Sequence, residues 1–135
     1  MIKLCYKEYD WKISGGACKS FFDKTGLDLQ TVFCDYIEAS IEADGKSLLS
    51  KMQIYSRLYS RDIASKALYS IIKPVNDGVS IAEIDDATYR VGWIIRDRPD
   101  DLSEPWPFVM LDTAFKINDY FNANIPKKKE GIEAE

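Results

Sequence analysis

This 135-residue sequence contains no histidine, and that absence excludes more kinds of functional site than any other feature of the composition. Histidine is the usual general base near neutral pH, the commonest metal ligand and the partner of serine or cysteine in nucleophilic catalysis. Those kinds of active site are therefore excluded, and no other catalytic constellation stands out along the chain. We predict that the protein is not an enzyme, has no catalytic residues, and needs neither a metal nor a cofactor.

Cysteine is scarce, and long apolar runs are absent. The three cysteines, an odd number without the CxxC spacing, predict neither a disulfide framework nor a zinc site. We expect all three, Cys5, Cys18 and Cys34, to be buried and reduced. No run approaches the roughly 18 apolar residues that span a bilayer, and no secretory signal opens the chain. These features favour a reducing intracellular compartment and no membrane partner.

A strongly basic face, the usual mark of a nucleic-acid binder, is also missing, since the net charge is −4. The composition, 46% hydrophobic and 30% charged, is that of an ordinary globular protein. The length fits one domain. We predict a single helical domain over residues 1–122 and a flexible polar tail over residues 123–135.

The first thirteen residues alternate between apolar and polar side chains, which is typical of β-strands. The apolar positions are Ile2, Leu4 and Tyr6 in one run and Tyr9, Trp11 and Ile13 in the next. This pattern predicts a β-hairpin that turns near Lys7-Glu8. A two-stranded hairpin is not stable alone, so it must lie on the helices that follow.

The rest of the chain has helical periodicity and clear helix boundaries. The fold class that follows is mostly α: a short N-terminal β-hairpin packed on a bundle of five or six helices. Residues 46–73 form either one long helix or two with a break near Tyr59-Ser60. The boundary signals are Gly26, Asp28, Asp44-Gly45, Ser60 or Asp62, the capping box of Ser80 and Glu83, and Pro105 with Pro107 in a first turn.

An acidic, proline-containing loop spans residues 97–104. Its carboxylates, Asp97, Asp100, Asp101 and Glu104, provide the oxygen ligands that a hard cation prefers. Their spacing is not that of an EF-hand, and Arg96 and Arg98 lie among them. A solvated surface loop is the preferred interpretation, and a cation site remains the alternative.

Aromatic residues are abundant, with eight tyrosines and three tryptophans. Such side chains are common at interface hot spots because they combine area with one polar group. Tyr55 and Tyr59 lie one helical turn apart beside Arg57 and Arg61, and Trp106 is a second anchor. If that face is not covered internally, it would suit a partner helix. We therefore predict a partner-binding face at these five residues.

The order of the N-terminal residues resembles the opening of the tail assembly chaperones of long-tailed bacteriophages. A short hairpin leads directly into a helix that ends at Thr-Gly-x-Asp-Leu. The residues that carry the resemblance are Leu4, Tyr6, Trp11, Ile13, Gly16, Ala17, Phe21, Gly26, Leu27, Asp28 and Leu29. The motif covers the start of the chain, and similar size and helical layout extend the likeness to the remainder.

The resemblance implies a protein that binds the tape measure protein, keeps it soluble and helps recruit tail tube subunits. It also implies self-association, a location in the host bacterial cytoplasm and absence from the mature virion. Many members have a longer form made by ribosomal frameshifting, which contacts the tail tube protein. Lys127-Lys128-Lys129 is compatible with a slippery codon run, or is an ordinary basic patch. The alternative function is a small helical adaptor or regulatory protein of bacterial or phage origin.

Overall fold

The secondary structure follows the predicted class in the computed structural model, which describes residues 1–4, 7–90 and 105–123. Within those residues a two-stranded antiparallel hairpin precedes six α-helices, so the predicted fold is confirmed. The elements are β1 (Ile2–Leu4), β2 (Lys7–Tyr9), α1 (Gly15–Thr25), α2 (Leu29–Ala43), α3 (Leu48–Ser56), α4 (Arg61–Ile72), a 3₁₀ turn (Lys73–Val75), α5 (Ile81–Arg90) and α6 (Trp106–Ala123).

The hairpin turns earlier than the sequence predicted. Lys7 and Glu8, expected at the turn, belong to β2, and the register pairs Ile2 with Tyr9. This register buries Ile2, Leu4 and Tyr9 on one face of the hairpin. The sequence of this hairpin has no Asn-Gly or Asp-Gly turn, so the local sequence alone does not determine the strand register. The register depends instead on which side chains the helices bury.

The hairpin lies against the helices through buried side chains and hydrogen bonds. The hydroxyl of Tyr9 donates to Oε2 of Glu83 in α5 at 2.6 Å. Beyond β2, the backbone N–H of Lys12 donates to the carbonyl of Ile71 in α4 at 2.8 Å. The second strand was expected to run through Trp11 and Ile13, but this segment is instead hydrogen-bonded to α4 at Lys12. Contact with a helix of this kind stabilises a two-stranded sheet, which is not stable alone.

The predicted helix boundaries agree with the observed caps. Asp28, Ser60 and Ser80 each accept a hydrogen bond from the backbone N–H three residues ahead, which satisfies one free donor at a helix start. Gly26 ends α1 with φ of 73°, a conformation that glycine adopts without steric cost. The cap at Ser60 divides residues 46–73 into α3 and α4, as one of the two alternatives proposed.

Helix α4 lies at the centre of the core and contacts α1, α5 and α6. Its small residues Ala64 and Ala67 are fully buried, so neighbouring helices approach it closely. Helix α2 packs mainly against α6 and α3. The largest fully buried side chains are Tyr36, Phe21, Ile2, Leu4, Leu29, Leu68, Ile71, Ile72, Ile84, Met110 and Val32.

Two predictions fall on residues that the structure does not describe. The acidic loop of residues 97–104 lies outside the described ranges, and so does the tail from residue 124 onward.

Candidate protein-binding surface

Tyr55, the first residue of the predicted partner-binding face, is part of the core. Its side chain is only 2% exposed. Its ring meets that of Phe108 in α6 edge to face, with centroids 5.5 Å apart. Burial raises the pKa of the Tyr55 hydroxyl. Tyr55 therefore joins α3 to α6 and presents no surface to a partner.

Tyr59 is half-buried and has an internal partner. Its hydroxyl donates to Oδ2 of Asp35 in α2, and its ring lies 6.1 Å from that of Tyr36. Burial raises the pKa of Tyr59 to about 12, with further contributions from the hydrogen bond and negative charge of Asp35. At neutral pH the hydroxyl keeps its proton, so the contact links α2 to the turn before α4.

Arg61 also points to a neighbouring helix. Its guanidinium forms an ion pair with Oδ1 of Asp85 at 3.0 Å and lies 5.3 Å from the ring centroid of Tyr89. The Ser65 hydroxyl donates to the same carboxylate oxygen at 3.1 Å. Asp85 therefore connects α5 to α4.

The five predicted residues do not form one exposed surface. Arg57 is exposed in the turn after α3, whereas Trp106 is half-buried at the start of α6 and packs against the core. The condition for a partner face, that it is not covered internally, is not met at Tyr55 and Tyr59. Side chains of neighbouring helices contact both Tyr55 and Tyr59, the aromatic pair that the helical spacing in the sequence indicated.

A different surface is open to a partner. A groove of about 380 Å³ lies between α1, α2 and α6. Its apolar lining comes from Ile13, Phe33, Ile37, Ala114, Ile117 and Phe121. Two amides, those of Gln30 and Asn118, complete it together with two thiols. An apolar groove of this kind is typical of sites that bind another apolar surface.

Exposed apolar side chains extend this surface beyond the groove. Phe121 is 54% exposed where it lines the groove, and Ile41, one turn beyond Ile37 on α2, is 74% exposed. Phe22, one turn beyond Cys18 on α1, is 57% exposed. Side chains one turn apart share a helix face, so these residues continue the groove lining.

The two thiols of the groove correct a sequence prediction. All three cysteines were expected to be buried, but Cys34 is exposed and Cys18 is half-buried. Both occupy the edge of an apolar stripe, where burial depends on whether another helix covers them. Burial, with a smaller effect of the Asp28 charge, raises the pKa of the Cys18 thiol. Cys5 lies outside the described residues.

The sequence signal for the groove was present in α2. In the sequence of α2, Ile37 and Ile41 continue at helical spacing the apolar stripe of Val32, Phe33 and Tyr36. The structure buries Val32, Phe33 and Tyr36 but leaves Ile37 half-buried and Ile41 exposed. The stripe is therefore wider than its internal neighbours cover, and the excess width marks the open surface.

Among the described residues, no group of three or more cysteine, aspartate or glutamate side chains is arranged to hold a metal ion. No described helix has the length and the apolar character that a membrane-spanning segment needs. The groove between α1, α2 and α6 is the candidate functional site.

No protein-family model matches the chain, and neither does any curated protein or solved structure.

Proposed function

We propose that this chain is a tail assembly chaperone of a long-tailed bacteriophage. It binds the tape measure protein, keeps that protein soluble and helps recruit tail tube subunits. The observation that carries the proposal is the open apolar groove between α1, α2 and α6. A protein that keeps a long amphipathic rod in solution must cover the apolar stripe of that rod with an apolar surface of its own.

The modest size of the groove suits a rod that many copies cover together. A groove of about 380 Å³ receives only a few side chains of a partner. Binding at one such site is weak, but neighbouring copies on one rod raise the effective concentration for one another. Association between copies, which the proposal includes, strengthens this effect without adding any contact to the rod itself.

The N-terminal motif supports the proposal because its residues have definite structural roles. Leu4, Ala17, Phe21 and Leu29 are buried in the core. Gly26 and Asp28 end one helix and begin the next. Ile13 lines the groove. The motif that resembles the chaperone family therefore builds the hairpin-to-helix junction and contributes Ile13 to the groove.

The direct test of this identity is the coding DNA from Asn124 onward. We expect a slippery heptamer at the codons of residues 127–129, an overlapping reading frame, and then a very long gene for a helical protein. A plain lysine run followed by unrelated genes would contradict the proposal. The alternative of a small helical adaptor or regulatory protein would then be preferred.

A further inference from the structure

Two of the three helices that line the groove, α2 and α6, restrict the shape of its occupant. Cys34 and Ile37 of α2 and Ile117 and Phe121 of α6 line the groove together, with spacings that repeat once per helical turn. Such a seam receives a further helix, whose side chains enter at the same spacing. An extended peptide would leave its backbone N–H and C=O groups unpaired against these apolar walls, whereas a helix satisfies its own.

The edge of the groove along α2 is acidic, and this restricts the charge of the occupant on that side. Helix α2 has no lysine or arginine, and its Asp35 is held by Tyr59, which leaves Glu38 and Glu42. Glu38 and Glu42 follow Cys34 at successive turns and are exposed along the outer edge of α2.

From these observations we infer that the groove binds one amphipathic helix whose apolar stripe is flanked by lysine or arginine. The inference deepens the proposed function, on which it rests, by naming the chemistry of the partner segment. A second copy of this acidic chain is disfavoured as occupant, because like charges at an interface oppose association.

Cys34 provides a native reporter for the occupant, since it is an exposed thiol within the groove. The probe is a synthetic helical peptide with leucines at helical spacing and flanking lysines. Its twin carries glutamates in place of the lysines. We expect the lysine peptide to slow labelling of Cys34 by N-ethylmaleimide about tenfold at saturation, as peptide mass spectrometry would show, while the glutamate twin has little effect.

Matched substitutions in the full chain locate the binding. Phe121→Ala removes an exposed groove side chain and should weaken peptide affinity about tenfold. Glu42→Lys reverses an edge charge and should weaken it about threefold. Val75→Ala and Asp77→Lys alter an exposed apolar residue and an exposed acid that do not line the groove, and should leave affinity unchanged.

Three results would overturn the inference. Equal protection by both peptides would remove the charge preference, and undiminished binding by the Phe121→Ala protein would place the site elsewhere. A dimer in which Cys34 is already protected would identify a second copy as the occupant.

Failure of the inference is distinguishable from failure of the proposed function. Peptide binding without a neighbouring tape measure gene would refute only the phage role. Tape measure protein that co-purifies undiminished with the Phe121→Ala protein would refute only the groove assignment.

Discussion

At the scale of single residues, the contacts that decide the structure near α3 join residues far apart in sequence. Tyr59 and Asp35 are separated by 24 positions, as are Arg61 and Asp85. The spacing of Tyr55 and Tyr59 correctly indicated a common helical region rich in rings. It could not indicate that a carboxylate from another helix satisfies Tyr59, because only the packing of α2 against α3 brings them together.

Tyr59→Phe tests the contact with Asp35. Removing the hydroxyl deletes a hydrogen bond to a charged group and should lower the free energy of unfolding by about 1–2 kcal/mol at neutral pH. Because the pKa of Tyr59 is raised from 10.0 to about 12, folding favours its protonated form. The stabilisation is complete below the unfolded pKa and is lost as pH rises through about 12.

The measurement is an ultraviolet titration of tyrosine ionisation. One late-ionising tyrosine should disappear in the Tyr59→Phe protein and persist in a Tyr120→Phe control, which alters a half-exposed ring on α6. An unchanged titration in the Tyr59→Phe protein would show that its hydroxyl is not held by Asp35.

Glu83→Gln tests the attachment of the hairpin to α5. The hydrogen bond from Tyr9 and the ammonium of Lys7 lower the pKa of the Glu83 carboxyl, so folding favours its charged form. This stabilisation is present above the unfolded pKa, near 4.5, and is lost as pH falls through the lower folded value. The variant should therefore be less stable than wild type at neutral pH, and the difference should shrink in acid. A difference independent of pH in urea unfolding would contradict this account.

At the scale of elements, the sequence predicted helix boundaries well and the hairpin register poorly. Caps such as Ser60 and Ser80 act on a backbone N–H three residues away, so a local pattern contains the whole interaction. The register of β1 and β2 depends on which side chains α5 and α6 bury, which no local pattern contains. The groove could not be predicted for the same reason, since it forms only where α1, α2 and α6 do not pack fully against one another.

Ser60→Ala tests the division between α3 and α4. Without the hydroxyl, the N–H of Ile63 loses its partner at a helix start, and the free energy of unfolding should fall by about 1 kcal/mol. Ser56→Ala is the control, because that exposed hydroxyl lies at the end of α3, where it makes only a long hydrogen bond of 3.3 Å. Equal midpoints for the two variants in urea unfolding would show that the cap at Ser60 does not stabilise α4.

Tyr55→Ala and Ile41→Ala separate core residues from surface residues. Tyr55 is buried against Phe108, so its truncation should cost about 3–5 kcal/mol. Ile41 is 74% exposed, so its truncation should change stability by less than about 0.5 kcal/mol. Thermal unfolding of both proteins gives the comparison. A stable Tyr55→Ala protein would return Tyr55 to the predicted partner-binding face.

At the scale of the whole molecule, the described residues combine a buried centre at α4 with an open apolar seam on one side. The core buries the apolar faces that the helices turn towards α4. Beside the groove, α2 and α6 also carry apolar side chains that no described element covers. The periodicity of the sequence predicted the helical domain with its N-terminal hairpin. It did not place the binding surface, because coverage of a stripe depends on neighbours distant in sequence.

Co-expression with the tape measure protein, the long helical protein that the proposal expects to be encoded beside this chain, tests the central claim most directly. We predict that the wild-type chain raises the soluble fraction of that partner and co-purifies with it. The Phe121→Ala protein should do so much less, and the Asp77→Lys protein should match wild type. A partner that stays equally insoluble with and without this chain would contradict the account.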